Sequence, residues 1–210
     1  MTPQAAYDEL VKQTKEISLL GSCGSVLGWE ERTYMPRQGG ALRADQLGLL
    51  AGMCHEKFTS PRIGELLAAV EASDLIKDPT SVAAVNVRET RHQYNRATKL
   101  PKELVEELTK TTSLAQTEWG IARKNSDFKH FLPWLEKVLD LTRKVADAYG
   151  WTGEPYNALL DGYEPGATVE EIGKVFDPLR ADLVELLARI QNAAKKPDVS
   201  IIEREYDVEL

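Results

Sequence analysis

Apolar residues along this chain return every three or four positions, and almost nowhere every second one, so the pattern predicts helices and leaves little room for strands. Leu10, Val11, Ile17, Leu19 and Leu20 open the series, and "GSCGS" at 21–25 interrupts it. Such small residues mark either a break or a surface against which another backbone packs closely. "LGWEERTYMP" runs on to Pro36, "RQGG" at 37–40 reads as a loop, and a helix follows over 41–58. Ser60-Pro61 and Asp78-Pro79 each place a capping side chain before a proline at the first helical position, predicting helices over about 61–73 and 79–98. Pro101 opens another, and Asp127 caps the next, which stops at Tyr149-Gly150.

The stretch "WTGEPYNALLDGYEPGAT" differs: three glycines and two prolines in 18 residues predict an ordered loop with a short helix at "YNALL". Thr168 and Glu171 have capping-box spacing, and a long helix runs from there to about Ala194, bent at Pro178 and closed by Lys195-Lys196-Pro197. The fold class is all-α, an array of long antiparallel amphipathic helices with short turns and one ordered loop near 150–167, in a single domain over 1–210. The tail gathers Ile201, Ile202, Tyr206, Val208 and Leu210, an apolar end expected to lead to further contacts.

With 210 residues, 42% of them apolar, the chain can bury a substantial core. A net charge of −7 argues against nucleic acid or an anionic membrane as partner, since both need a basic excess. No apolar run approaches a membrane span and the N-terminus lacks a signal pattern, so the expected compartment is the cytoplasm. Cys23 and Cys54 make no disulfide framework and read as small buried hydrophobes.

Candidate chemistry is sparse. "HEKFT" at 55–59 starts like the zinc motif H-E-x-x-H but carries Thr59 where the second histidine belongs. His55, His92 and His130 fall on separate predicted helices, too dispersed for a zinc site. Cys54 and His55 are adjacent, hence about 100° apart on a helix, and do not form a nucleophile–base pair. The acid pairs Glu30-Glu31 and Glu170-Glu171 read as solvated faces. Arg88, Arg91, His92, Arg96 and Lys99 form a basic stripe on one helical side, fit to hold a carboxylate ligand and more simply read as pairing with acidic neighbours. Tyr156, Asp161, Tyr163 and Glu164 crowd the ordered loop, as binding residues or as clamps.

Four blocks, "LGWEERTYMP", "LAGMCHEKFT", "NVRETRHQYNRATKLPKELVEEL" and "PYNALLDGYEPGAT", resemble in order and spacing the carboxypeptidase Taq family, zinc-dependent enzymes that remove C-terminal residues from peptides. Glu30 stands where that family usually has aspartate, and Ala167 where it has methionine. The resemblance implies a nearly all-helical fold around a long groove, with zinc or a similar divalent metal at its base, and a homodimer. It covers the N-terminal wall of the groove. The family's H-E-x-x-H helix, downstream glutamate ligand, H-P-F and D-x-R-x-T motifs have no counterpart here, so no catalytic or metal-binding residue and no cofactor is assigned. Substrate-groove candidates are Trp29, Tyr34, Arg88, Arg96, Tyr156, Asp161, Tyr163 and Glu164. Two functions follow: the groove-wall part of a metal-dependent carboxypeptidase, inactive without a C-terminal catalytic half, or a free-standing helical interaction module derived from that family. Peptide and a second copy of the chain are the other expected partners.

Overall fold

The computed structural model describes residues 1–205, the side chain of Arg37 excepted, so Tyr206, Val208 and Leu210 of the apolar tail lie outside the described residues. These contain eight α-helices and no strand, an all-α protein as the periodicity predicts. None of the helices is long and apolar enough to cross a membrane. The chain divides into two compact units, Met1–Ala158 and Leu159–Leu210.

The first unit opens with α1 (Pro3–Thr33), where the Thr2 hydroxyl accepts a hydrogen bond from Ala5 N at 3.3 Å and Pro3 holds the first helical position. The helix passes straight through "GSCGS", contrary to the expected interruption. A Cβ added at Gly21, Gly24 or Gly28 would meet nothing within 4 Å, so these glycines mark neither a break nor a close approach. Each costs the helix about 1 kcal/mol against alanine. Anchors on either side offset that cost: Ala6 and Leu10 are buried near one end, and near the other the Arg43 guanidinium donates to the Leu27 carbonyl at 2.6 Å and pairs with Glu30.

Close backbone packing occurs instead on α2 (Gly40–Phe58), which follows a 3₁₀ turn at Arg37–Gly39. Its buried residues are Gly40, Ala44, Gly48 and Gly52, a spacing of four that places them on one face. That face meets α5 (Lys102–Asn125). A Cβ on Gly48 would sit 2.6 Å from Lys110 Cγ, and one on Gly52 2.0 Å from Glu106 Oε1.

The apolar centre is built by α1 together with α3 (Pro61–Glu71) and α4 (Val82–Ala97). Ile63, Leu66, Leu67 and Val70 of α3 are buried with Ala6, Leu10 and Val87, flanked by Tyr7, Leu75, Ile76 and Tyr94. Glu9 ties α1 to α3 from outside, accepting from Arg62 Nε at 2.8 Å and Nη2 at 2.7 Å. Helix α4 begins three residues later than expected: the Ser81 hydroxyl caps it, and Asp78 instead accepts from Thr80 N and Oγ1 at 2.9 and 2.7 Å, a local turn that competes with helix initiation at Pro79. Ser60 makes no side-chain cap, leaving Pro61 as the start signal of α3.

Helix α5 ends on Ser126, left-handed at φ 52°. Asp127 caps α6 (Phe128–Tyr149) by accepting from His130 N at 3.2 Å, and Gly150 stops it at φ 78°, both as read from the sequence. The short α7 (Tyr156–Leu160) is the expected "YNALL" helix. Cys23 is exposed and Cys54 half-buried, not the fully buried pair expected, because Cys23 lies on the open glycine-rich stretch of α1.

The second unit is dominated by α8 (Val169–Gln191). Thr168 and Glu171 form the reciprocal capping box, and Glu170 pairs with Lys174 at 2.8 Å. The helix runs through Pro178 and has no buried residue.

Candidate functional site

The C-terminal end of α1 presents two exposed aromatic rings, Trp29 and Tyr34, with centroids 5.5 Å apart and planes tilted by 58°. Between them in sequence, Glu30 is held by Arg43 and Glu31 accepts from the Ser113 hydroxyl. These acids therefore tie α1 to α2 and α5, and the solvated-face reading of Glu30-Glu31 is corrected. Beside them lies a cleft of about 600 Å³ whose walls include Glu31, Arg32, Met35, Thr117, Ile121 and Lys124.

On α4 the basic stripe is drawn into the protein. Arg91 grips Glu71 through two bonds of 2.7 and 2.8 Å. Arg96 donates to the Ala158 carbonyl at 3.1 Å and lies 3.9 Å above the Tyr149 ring, while Lys99 donates to the Tyr149 carbonyl at 2.7 Å. Arg96 and Lys99 thus fasten the end of α6 and the start of the ordered loop to α4. Arg88 is the more open guanidinium, donating to Glu89 at 3.1 Å with its side chain 59% exposed.

In the loop, Tyr156 is exposed on α7. In the second unit, Asp161 accepts from Gly166 N at 3.0 Å and shapes a turn in which Gly166 takes φ 82°. Tyr163 and Glu164 are exposed around that turn.

The described residues bring no metal-ligand cluster together. No group of three or more His, Cys, Asp or Glu side chains there is placed to hold a metal ion, so these residues do not fit the zinc site that the family resemblance implies elsewhere. His55 Nε2 donates to the Leu100 carbonyl at 2.9 Å, and His130 Nε2 meets Glu118 at 2.5 Å. Cys54 and His55 share a small cleft with Ile17 and Phe58, but burial, aided by Cys23, pushes the Cys54 thiol up, away from a reactive thiolate. The contacts that sequence reading missed, Arg62 with Glu9 and Ser113 with Glu31, join residues 53 and 82 positions apart, beyond any local spacing signal.

The model of the carboxypeptidase Taq (M32) metallopeptidase family matches residues 9–210. Thermostable carboxypeptidase 1 of Thermus thermophilus is 43% identical over 218 residues, covering all of this chain and 43% of the relative. Thermostable carboxypeptidase 1 of Pyrococcus furiosus is 32% identical, covering 94% of this chain and 39% of the relative. Among solved structures, BsuCP superposes with a TM-score of 0.88 at 28% identity, over 98% of this chain and 41% of that one. The M32 carboxypeptidase of Deinococcus radiodurans gives 0.75 at 32% identity, over 98% and 40%. The chain spans about two fifths of the length of the proteins it matches.

Proposed function

Because this chain belongs to the carboxypeptidase Taq (M32) metallopeptidase family, we propose that it forms the N-terminal wall of the substrate groove of a metal-dependent carboxypeptidase that releases C-terminal residues from peptides, with metal and catalytic groups carried by family sequence outside the match. The observation that carries this reading is the pairing of a family match over residues 9–210 with a span of only 43% of the Thermus thermophilus relative. In this role Trp29, Tyr34 and Tyr156 of the first unit offer aromatic faces to a peptide chain, and Tyr163 and Glu164 are the exposed candidates of the second unit taken by itself. Arg88, the exposed guanidinium of the α4 stripe, would exchange Glu89 for a peptide carboxylate. Arg96 and Asp161 act one step back, as positioning residues for the loop. We extend the reading to zinc as the metal, to the cytoplasm, and to a homodimer.

The test is direct. The purified chain is analysed for metal and assayed on a blocked dipeptide with zinc or cobalt, alone and co-expressed with the remaining sequence of the Thermus thermophilus relative. The expected result is neither stoichiometric metal nor turnover alone, and both in the complex. One metal per chain with turnover abolished by His55→Ala, or a complex that holds metal and stays inert, would overturn the proposal.

A further inference from the structure

Along α8, Val169, Ile172, Phe176, Leu179, Leu183, Leu186 and Ile190 are separated by 3, 4, 3, 4, 3 and 4 residues. That is the alternation of a helix–helix seam over three heptads, with a period of 3.5. All but Ile172 are exposed, by 38% to 58%. Val175 and Leu187 widen the stripe, while Glu170, Glu171, Lys174, Asp177 and Glu185 make most of the outer side polar, with Val184 the apolar exception there. The helix has its own capping box and i,i+4 ion pair, so its N-terminal end is satisfied and its apolar side is not. A contiguous apolar stripe of this length on a soluble protein marks a contact surface.

Resting on the proposed function, we infer that this stripe docks a long amphipathic helix from the catalytic part of a metallocarboxypeptidase, packed along α8 at a shallow crossing angle of about 20°. Two observations select this occupant. First, 98% of this chain, and therefore nearly all the fold around α8, is shared with a solved structure of which well over half lies outside the match. Second, α8 is poorly suited to itself. Parallel self-pairing sets Val175 against Arg180 and Asp182 against Leu187 across the rim, and fully overlapped antiparallel pairing sets Arg180 on Arg180 and Asp182 on Asp182. Neither arrangement brings opposite charges together, whereas a different helix is free to supply them.

The experiment uses the whole chain, with a photo-crosslinking benzoylphenylalanine in place of either Leu183 on the stripe or Lys174 on the polar side. Each form is co-expressed with the tagged polypeptide comprising the Thermus thermophilus sequence outside the match. The expected result is an adduct at 183 at least about tenfold more abundant than at 174, and co-purification at least about tenfold weaker for Leu183→Glu combined with Leu186→Glu. Lys174→Glu should leave capture unchanged, and circular dichroism should show native helicity in each variant. If the double variant loses helicity, the two crosslinking positions decide by themselves. A complex that turns over substrate but crosslinks equally from both positions overturns the docking surface and leaves the carboxypeptidase reading intact. Absence of any complex overturns both. An adduct from 183 to a second copy of this chain, in place of the co-expressed polypeptide, overturns the choice of occupant.

Discussion

Helices α3 and α8 carry the same kind of pattern and meet opposite fates. In eleven residues α3 buries Ile63, Leu66, Leu67 and Val70, while α8, at 23 residues, buries none. The difference lies outside both helices: α3 is covered by residues of α1 and α4, including Ala6, Leu10 and Val87. Periodicity therefore specifies a helix and which of its sides should be dry, but the cover is a property of other segments.

The largest effect should come from the covered helix. Leu67 is 0% exposed, and Leu67→Ala removes three side-chain carbons from a packed site, so urea denaturation should show a loss of about 2–5 kcal/mol. A loss below about 1 kcal/mol would mean that the α3 face is not the centre of the first unit.

Glycines allow the same contrast at smaller amplitude. Gly52→Val drives a branched side chain into Glu106 of α5 and should cost about 1–3 kcal/mol, because the two helices must part or Glu106 must leave its place. Gly24→Ala adds a methyl that meets nothing within 4 Å inside a helix, and should stabilise by up to about 1 kcal/mol. If calorimetry instead showed Gly24→Ala lowering the melting temperature, the open face of α1 would be refuted.

These glycines also show what the sequence could reveal. The helix class, the Asp127 and Thr168 caps, the Gly150 stop and the short α7 follow from local chemistry within four residues, and all were legible. "GSCGS" misleads because its two glycines and small neighbours look like a break or a close-packing surface, whereas buried Ala6 and Leu10 on one side and ties from Arg43 to Leu27 and Glu30 on the other hold the helix. The true close-packing seam, Gly40, Ala44, Gly48 and Gly52, is diluted among larger residues and becomes visible only with α5 against it. For the candidate site, the aromatic and charged residues were legible as types. That Arg96 is spent on Tyr149 and Ala158 depends on residues more than 50 positions away.

Acid should separate the tied helices from the open one more gently. The Arg62 guanidinium holds Glu9 below its ordinary 4.5, Lys102 does the same for Glu56, and hydrogen bonds from Thr80 hold Asp78 below 3.8. A carboxylate lowered by folding contributes stability that is fully present above its unfolded value and is lost as pH falls through the folded one. The melting temperature should therefore hold from about pH 7 to 5 and decline below about 4.5, with a shallower decline in Glu9→Gln. An unchanged slope in that variant would remove Glu9–Arg62 from the acid response.

The smallest effect is the most telling about α8. Leu183 is 52% exposed, and serine there leaves no cavity, so Leu183→Ser should change the stability of the chain alone by no more than about 0.5 kcal/mol, an order below Leu67→Ala. Chemically similar leucines, in helices of similar pattern, would then differ only in whether another segment lies on top of them. Melting the same variant in the presence of the catalytic polypeptide completes the comparison. A covered Leu183 must begin to behave like Leu67, with the stabilisation conferred by the partner reduced in the variant; a partner that stabilises both forms equally is bound somewhere other than the α8 stripe.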